Sequence, residues 1–154
     1  MTRIRQAEPI DWPQLAALRA LLWPDASEEE HLAELVAGQS SPGQPQFPVV
    51  TLLSEDELGV LTGFLEVGLR SHADGCDTQR PVGFVEGWFV REQHRGKGIG
   101  KQLLHAAEEW ARAQGCREMA SDALIDNAGS ERAHTALGFE IVDRCIHFRK
   151  ALRS

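Results

Sequence analysis

The chain carries at its centre the segment Val82-Gly83-Phe84-Val85-Glu86-Gly87-Trp88-Phe89-Val90-Arg91-Glu92-Gln93-His94-Arg95-Gly96-Lys97-Gly98-Ile99-Gly100, which continues directly into Lys101 to Gln114. Its apolar first half, ending at Val90, predicts a buried strand. The three glycines at alternate positions predict a loop, and the apolar periodicity after them predicts a helix that begins at Gly100. A strand, a glycine-rich loop and a helix therefore follow one another without interruption.

The loop between this strand and this helix has the properties of a phosphate-binding site. A helix N-terminus presents backbone N–H groups that lack intrahelical partners, together with the positive end of the helix dipole. Glycines let a bulky anion approach that backbone, because they carry no Cβ. Arg95 and Lys97 add positive charge beside it. The alternative interpretation is a glycine-rich turn with a solvated Arg/Lys pair.

The spacing of the glycines distinguishes three kinds of phosphate loop. A Walker loop requires Gly-Lys-Ser/Thr so that a hydroxyl can hold Mg²⁺, but here Lys101 is followed by Gln102. A dinucleotide fingerprint requires Gly-x-Gly-x-x-Gly, which glycines at 96, 98 and 100 do not match. The remaining pattern, Arg95-x-x-Gly98-x-Gly100 after a strand that ends in Phe-Val, resembles the pyrophosphate loop of the GNAT acetyltransferase superfamily.

This resemblance implies a fold and a binding site for acetyl-CoA. Leu137-Gly138-Phe139-Glu140 is similar to the end of the last GNAT helix. The implied fold is a single GNAT-like α/β domain over residues 1–154, with a mixed central sheet, helices on both faces, and parallel strands that splay apart where acetyl-CoA binds. The implied acetyl-CoA contacts are Phe89, Val90, Arg95, Gly96, Lys97, Gly98, Ile99, Gly100, Lys101 and, for the pantetheine arm, Asn127.

Longer runs resemble one branch of the family, the bacterial aminoglycoside 6′-N-acetyltransferases. These runs are Leu22-Trp23-Pro24, Asp74-Gly75-Cys76-Asp77, Phe84-Val85-Glu86-Gly87, Gly115 to Asp122 and His134 to Phe139. The resemblance implies that acetyl passes from acetyl-CoA to the 6′-amine of a polycationic antibiotic, by direct attack of the amine on the thioester. The alternatives are acetylation of another small amine, a polyamine or a protein N-terminus, and, in another class, a non-catalytic acyl-CoA-binding module.

Composition and charge limit the classes of protein to which the chain can belong. The hydrophobic content of 42% and charged content of 25% are those of a globular domain. A net charge of −7 disfavours nucleic acid and anionic membranes as partners and suits a cationic second substrate. No segment approaches the roughly 18 apolar residues of a membrane span, and no signal peptide is visible, so a cytoplasmic protein is expected. Three cysteines without a Cys-x-x-Cys pair argue against a disulfide framework or a zinc site, and no metal is expected.

The remaining elements follow from periodicity, caps and turn residues. The predicted order is β-α-α-β-β-β-α-β-α-β, with a right-handed parallel crossover around the central helix. The segments outside the central one are a strand at Arg3 to Arg5, a helix capped by Asp11, a helix from a Ser27 capping box to Gly38, a loop from Gln39 to Pro48, strands at Val49 to Leu53, Val60 to Leu69 and Arg117 to Asp122, a helix from Ser130 to Leu137, and a last strand from Phe139 to Lys150.

Two carboxylates are candidates for the chemistry of amine acetylation. Glu86 lies in the central strand and Asp122 at the end of the next parallel strand, and ligands bind at the carboxyl ends of such strands. An aliphatic amine is mostly protonated at pH 7, so a carboxylate must orient the ammonium group and remove a proton, directly or through water. The alternative roles are a structural salt bridge for Glu86 and a helix cap or turn for Asp122.

The departing thiolate also needs a proton. Many GNAT enzymes carry a Tyr four residues before the Gly of the Leu-Gly-Phe motif that this chain resembles. This chain has no Tyr, and His134 stands at that position. His134 is therefore a candidate general acid. Since a free thiol has a reference pKa of about 8.5, solvent is an alternative proton donor.

Three further residues are candidates for binding the acceptor. Trp23, on a short loop between helices, is either a lid over a pocket or a packing anchor. Asp77 either binds further ammonium groups of the substrate or forms an ordinary Asx turn, and Glu140 is a candidate of the same kind. The outer edge of the predicted last strand is open, and since exposed edges are commonly covered by a partner, a homodimer is expected.

Overall fold

The computed structural model describes residues 1–39 and 49–153. Apart from Gln39, the loop predicted from Gln39 to Pro48 lies outside the described residues. The elements, in chain order, are β1 (Arg3–Gln6), α1 (Trp12–Leu22), α2 (Glu28–Gln39), β2 (Val49–Glu55), β3 (Leu61–Arg70), β4 (Val82–Val90), α3 (Ile99–Ala113), β5 (Met119–Ser121) and α4 (Ala128–Ala136), with single 3-10 turns at Pro9–Asp11 and Glu92–His94.

The sheet is mixed, as the sequence predicts. Its five strands lie in the order β1-β2-β3-β4-β5. The first four strands pair antiparallel. β4 and β5 pair in parallel across the α3 crossover. The open sheet therefore has its parallel pair at one edge, next to the glycine-rich loop.

Helices cover both faces of this sheet. On β2 and β3, alternate residues face opposite sides, so Leu52 and Leu65 lie in one core cluster while Leu53 and Phe64 lie in the other. The first cluster packs against α3 and the second against α1. Leu103, Leu104 and Ala107 are the buried α3 residues of the first cluster. The amphipathic stripe read from the α3 sequence is thus the face that anchors the glycine-rich loop on the sheet.

Two predicted helix caps have different outcomes. Ser27 caps α2, since its Oγ accepts from the Glu30 backbone N–H at 3.1 Å. Asp11 precedes α1 but its side chain makes no cap hydrogen bond. Its carboxylate instead accepts two hydrogen bonds from Arg5, at 2.7 and 2.8 Å. The Asp11 side chain therefore joins α1 to β1 rather than capping α1.

The predicted last strand, Phe139 to Lys150, is wrong. Within the described chain, no residue from 140 to 153 belongs to a helix or strand or makes a backbone–backbone hydrogen bond. A strand needs an edge to pair with, and β5 offers only three residues instead of the six predicted from Arg117 to Asp122. The homodimer expectation therefore loses its original premise, although the apolar side chains of this segment are exposed.

Candidate active site

A cleft opens where β4 and β5 stop pairing. The two strands pair only from Gly83 with Met119 to Val85 with Ser121. β4 runs on to Val90 and stays paired with β3 on its other side. In the described chain, the β5-side backbone groups of β4 beyond Val85 have no strand partner, so they can bind an extended ligand. This cleft is the splayed parallel pair that the family resemblance implies.

The glycine-rich loop has the backbone that an anion site requires. Gly96 and Gly98 have φ of +77° and +80°, in the left-handed region that favours glycine. A Cβ at either position would meet no atom within 4 Å, so the space in front of the loop is open. Gly98 is the N-cap of α3, which begins at Ile99, one residue before the predicted start at Gly100, and the first turn of α3 contains no acidic residue. The loop therefore fits a pyrophosphate.

The cationic side chains of the loop are exposed and one of them is fixed. Arg95 Nε donates to the Val90 carbonyl oxygen at 2.8 Å, and its guanidinium lies 5.5 Å from the centre of the Phe89 ring. These contacts hold Arg95 against the end of β4. Lys97 and Lys101 are exposed on either side of the α3 N-terminus. The predicted loop residues thus form one basic surface around the free amides of α3.

Glu86 is held by an arginine. A β-bulge opposite Glu66 and Val67 leaves Glu86 as the extra residue of β4, with an exposed side chain. Arg70 donates to both carboxylate oxygens of Glu86, at 2.9 to 3.1 Å. The Arg70 guanidinium also lies 3.5 Å from the centre of the Phe84 ring. The salt bridge that was the alternative role for Glu86 is therefore present. It lies at the mouth of the cleft rather than in the core.

Asp122 directly follows β5 and has an exposed side chain. Val85 and Ser121 are the last paired residues of β4 and β5, and Glu86 and Asp122 directly follow them where the two strands part. The cap of α4 is Asn127, whose side chain accepts from the Ser130 backbone N–H at 3.0 Å. The helix-cap alternative for Asp122 is therefore wrong. That Glu86 and Asp122, called here the carboxylate pair, act together in the cleft stays a prediction. For Asn127, contact with the pantetheine arm stays a prediction.

His134 projects from α4 toward the same end of β5. Its Nδ1 lies 2.7 Å from the Ser130 carbonyl oxygen and its Nε2 lies 2.7 Å from Ser121 Oγ. Since a carbonyl can only accept, Nδ1 carries the proton of the neutral ring, and Ser121 donates to Nε2. The ring also packs edge-on against Trp88 and Phe139, with centroids 5.2 and 5.1 Å away. Both ring nitrogens are thus engaged within the protein.

Trp23 has the contacts of a packing anchor on the α1 face of the sheet. A Cβ at Gly87 would lie 2.5 Å from Trp23 Cη2, so the indole rests directly on β4 beside Glu86. The ring is tilted edge-on to Phe64 at 6.0 Å, and the Trp23 carbonyl oxygen lies 3.0 Å from His31 Nε2. These contacts favour the packing-anchor interpretation, and a role of Trp23 in binding the acceptor stays a prediction. Its position is the reason why β4 requires a glycine at 87.

Glu66 is a buried carboxylate that the sequence reasoning missed. It opposes Gly87 in the sheet register and is 8% exposed. Its Oε1 lies 3.2 Å from Nη1 of Arg19, whose guanidinium is 5.3 Å from the Trp23 ring. Burial raises the pKa of Glu66, Arg19 opposes that rise, and Glu86 adds to it. The sequence does carry a signal for Glu66, because it is a charged residue inside an apolar strand. The same kind of signal made Glu86 a candidate.

Asp77 and Glu140 are not brought to the carboxylate pair by any described contact. Asp77 Oδ1 accepts from the Gln79 backbone N–H at 2.9 Å, which is the Asx-turn alternative. The Asp77 backbone N–H donates to Glu118, which precedes β5, whereas Asp122 follows its other end. Glu140 is exposed after the last helix. Their role in binding the acceptor stays a prediction.

Nowhere in residues 1–39 and 49–153 do three or more His, Cys, Asp or Glu side chains meet as a group that could hold a metal ion. No helix in this part of the chain combines the length and apolar composition that a membrane span needs.

Comparison with known proteins identifies the family. The model of the acetyltransferase (GNAT) family matches residues 12–139. Aminoglycoside N(6′)-acetyltransferase type 1 of Stenotrophomonas maltophilia is 41% identical over 97% of this chain and 93% of its own length. The enzyme of the same name from Klebsiella aerogenes is 38% identical over 97% of this chain and 96% of its own length.

Solved structures agree with these relatives. AAC(6′)-Iy in complex with the bisubstrate analogue CoA-S-monomethyl-acetylneamine has a TM-score of 0.84 and 35% identity, with 99% of both chains covered. AAC(6′)-Ih from Acinetobacter baumannii has a TM-score of 0.83 and 32% identity, also with 99% of both chains covered. The family match and the fold lead to the same conclusion: the chain belongs to the GNAT acetyltransferase family.

Proposed function

We propose that this protein transfers acetyl from acetyl-CoA to the 6′-amino group of aminoglycoside antibiotics. The observation that carries the proposal is the cleft beyond Val85 and Ser121, with a phosphate-type loop on one side and the carboxylate pair at its mouth. The two curated relatives named above, which each match 97% of the chain, support the choice of acceptor. An acetylated 6′-amine loses its positive charge, so the reaction is one of antibiotic resistance.

The residues that would hold acetyl-CoA follow from the free backbone groups. The α3 amides, Gly96, Gly98 and the cations Arg95 and Lys97 would bind the pyrophosphate. The unpaired edge of β4 between Glu86 and Val90 would pair with the amides of the pantetheine arm. The bound thioester supplies an activated acetyl group. A backbone N–H near Val90 would donate to the thioester carbonyl oxygen as negative charge develops on it.

The two members of the carboxylate pair have different surroundings and therefore different roles. Asp122 has no hydrogen-bond partner within the described chain, so its oxygens are free to accept a proton from the ammonium group of the acceptor, directly or through water. Glu86 is oriented by Arg70 and contributes negative charge on the other side of the same cleft. The Trp23 indole limits how far a sugar ring can move from the pair.

The proton for the departing thiolate comes by an indirect route. In its neutral form, His134 uses its only N–H on the Ser130 carbonyl oxygen and accepts from Ser121 at Nε2. The neutral ring therefore has no proton to give toward the cleft. His134 acts as an acid only when doubly protonated, through the Ser121 hydroxyl, and solvent protonates the thiolate otherwise.

The proposal also includes the partners, the cellular compartment and the oligomeric state of the enzyme. The net charge of −7 favours a polycationic acceptor over nucleic acid or an anionic membrane. The requirement for acetyl-CoA places the reaction in the cytoplasm. Residues 1–154 act as one domain, because both core clusters pack on a single sheet. We also propose that the active unit is a homodimer.

The test is thiol release from acetyl-CoA in the presence of kanamycin- and gentamicin-type acceptors, beside spermidine and a peptide amine. The proposal predicts efficient release with the aminoglycosides that carry a 6′-amine. A preference for spermidine or the peptide would show that the acceptor is a polyamine or a peptide amine rather than an aminoglycoside. Binding of CoA without release for any amine would indicate a non-catalytic acyl-CoA-binding module.

A further inference from the structure

A buried ion pair joins the first helix to the sheet beside the cleft. Nη1 of Arg19 in α1 lies 3.2 Å from Oε1 of Glu66 in β3, and the two side chains are only 16% and 11% exposed. Well-packed apolar side chains of similar volume often make a core as stable as a buried ion pair does. Stability alone therefore does not explain why a charged pair lies here, and the contacts of the pair indicate another role.

The position of Glu66 places the pair on the α1 face of the sheet. Phe64 and Glu66 alternate with Leu65 along β3. Leu65 packs in the cluster of α3, whereas Phe64 packs in the cluster of α1. Glu66 opposes Gly87 of β4. The pair therefore lies on one face of β3 and β4, and the helix that follows the glycine-rich loop lies on the other.

The α1 face also carries Glu86. Arg70 lies four residues after Glu66 on β3, so both side chains project to this face. Arg70 donates to both carboxylate oxygens of Glu86 and stacks on the Phe84 ring. Since acetyl-CoA would be bound by the loop of α3, on the other face, the α1 face beside Glu86 is left for the acceptor.

Arg19 connects the ion pair to Trp23. Its guanidinium lies 5.3 Å from the centre of the Trp23 ring, and the Trp23 backbone N–H donates to the Arg19 carbonyl oxygen at 2.7 Å. The indole also rests on Gly87, where an added Cβ would be 2.5 Å from Trp23 Cη2. The half-buried ring is therefore held by a guanidinium and by the backbone of β4, one residue from Glu86.

Glu66 is the main anchor of this guanidinium. The other carboxylate near Arg19 is that of Glu34 in α2, 3.3 Å from Nη2, but the Glu34 side chain is 68% exposed. Solvent screens an exposed ion pair, whereas a buried pair acts at a lower dielectric constant. Without the charge of Glu66, the guanidinium would be free to follow Glu34 toward solvent, and the Trp23 ring would lose its contact with Arg19.

We propose that Glu66 and Arg19 are positioning residues for the acceptor. Glu66 holds the Arg19 guanidinium, which in turn holds the Trp23 indole on Gly87 as a fixed surface beside Glu86. The inference rests on the proposed acetylation of an amine, but not on which amine is accepted. Because acetyl-CoA binds on the other face, the pair should control the KM of the acceptor with little effect on kcat.

Steady-state kinetics of Glu66→Gln test the proposal, because this variant keeps the shape of the side chain and removes its charge. We expect the KM of the acceptor to rise about tenfold, as for the loss of one buried cation–π contact. The kcat and the Kd for CoA should stay within about twofold of the wild type, since a lost ground-state contact raises KM alone. The unchanged Kd for CoA also verifies that the variant is folded.

The matched control is Glu55→Gln. Glu55 has the same exposed fraction as Glu66, 8%, and its Oε2 lies 3.1 Å from Nη2 of Arg5. It belongs to β2, which does not border the cleft between β4 and β5. This variant should leave the KM of the acceptor unchanged. An unchanged KM in Glu66→Gln, or an equal rise in Glu55→Gln, would overturn the proposal.

A double variant tests whether Glu66 acts through Arg19. Arg19→Met should raise the KM of the acceptor by a similar factor, and Glu66→Gln/Arg19→Met should raise it no further. Multiplied effects in the double variant would refute the shared role. The comparison uses the amine that the wild type acetylates best. A preference for spermidine or a peptide amine would therefore change the proposed function without changing this inference.

The indole N–H resonances of the four tryptophans give a reading that requires no substrate. Trp23→Phe assigns the signal of Trp23. In Glu66→Gln that signal should shift or broaden, whereas the signal of Trp110, which packs in the cluster of α3, should not. A Trp23 signal identical to that of the wild type would refute the positioning role, whatever amine the enzyme acetylates.

Discussion

The hydroxyl of Ser121 lies 2.7 Å from Nε2 of His134, so the last paired residue of β5 is joined to α4 beside the cleft. The bond fixes the neutral ring with its proton on Nδ1. Since both ring nitrogens are engaged within the protein, we propose that His134 supports the end of β5 rather than serving as a direct proton donor.

Replacement of His134 should accordingly have a small effect on chemistry. We expect His134→Ala to lower kcat by about tenfold or less, below the roughly 10²–10⁴ range of a dedicated general acid. A thiol with a reference pKa of about 8.5 does not require such an acid. Ser121→Ala is the matched comparison and should have an effect of similar size. A loss of kcat of three orders of magnitude in His134→Ala, measured at saturating substrates, would contradict this assignment.

Asp122 and Glu86 should differ in the kinetic parameter that they control. Asp122→Asn should lower kcat by roughly 10²–10⁴, because the acceptor amine loses its proton acceptor. Glu86→Gln should mainly raise the KM of the acceptor, because Glu86 contributes charge while bound to Arg70. Asp126→Asn, at an exposed position in the turn before α4, serves as the control. Steady-state kinetics with both substrates varied measure the two parameters. The assignment would be contradicted if Asp122→Asn mainly raised the KM of the acceptor and Glu86→Gln mainly lowered kcat.

The loop glycines should be required for CoA binding. Gly98→Ala places a Cβ at φ +80°, which costs about 1 kcal/mol or more in strain, and it fills the space in front of the α3 amides. We expect the Kd for CoA, measured by calorimetry, to rise by about tenfold or more. Gly59→Ala has the same kind of strain, at φ +77°, in the turn between β2 and β3. Since that turn is not part of the cleft, an equal loss of CoA affinity in Gly59→Ala would show that strain alone is responsible.

Stability in acid should depend on Asp11. Hydrogen bonds from Arg5 hold the pKa of the Asp11 carboxyl below its ordinary value, and the Glu8 backbone N–H acts in the same direction. The folded state therefore binds this proton less readily than the unfolded state. The stabilisation is fully present above the unfolded pKa of about 3.9 and is lost as the pH falls through the lower folded pKa.

Asp11→Asn should remove that part of the pH dependence. It should also lower the free energy of unfolding at pH 7 by about 2 kcal/mol, the usual range for hydrogen bonds to a charged group. Urea unfolding between pH 2 and pH 7 measures both effects, with Asp126→Asn as the control. A variant that retains the acid-range slope of the wild type would rule out Asp11 as its source.

Local patterns were sufficient to predict the elements that position the site. The strand up to Val90, the loop glycines, the α3 stripe and the Ser27 cap depend on residues close in sequence, and all four are present. The crossover from β4 to β5 follows from the order of strand, helix and strand. The glycine-rich loop could therefore be placed from local patterns, whereas the splaying of β4 and β5 was implied only by the family resemblance.

Features that depend on distant partners could not be predicted in the same way. The bulge that exposes Glu86 is set by its register with β3, and the pairing of Glu86 with Arg70 follows from that register. The burial of Glu66 depends on Arg19 from α1. The apolar residues after Phe139 have the composition of a strand, but strand formation also requires an available edge, which no local pattern reveals.

The most direct test of the central claim compares two aminoglycosides that differ only in carrying an amine or a hydroxyl at the 6′ position. The account predicts thiol release from acetyl-CoA with the 6′-amine alone, a mass increase of one acetyl group located at that nitrogen, and loss of the reaction in Asp122→Asn. Equal thiol release with both compounds, or acetyl found on another amine, would contradict it.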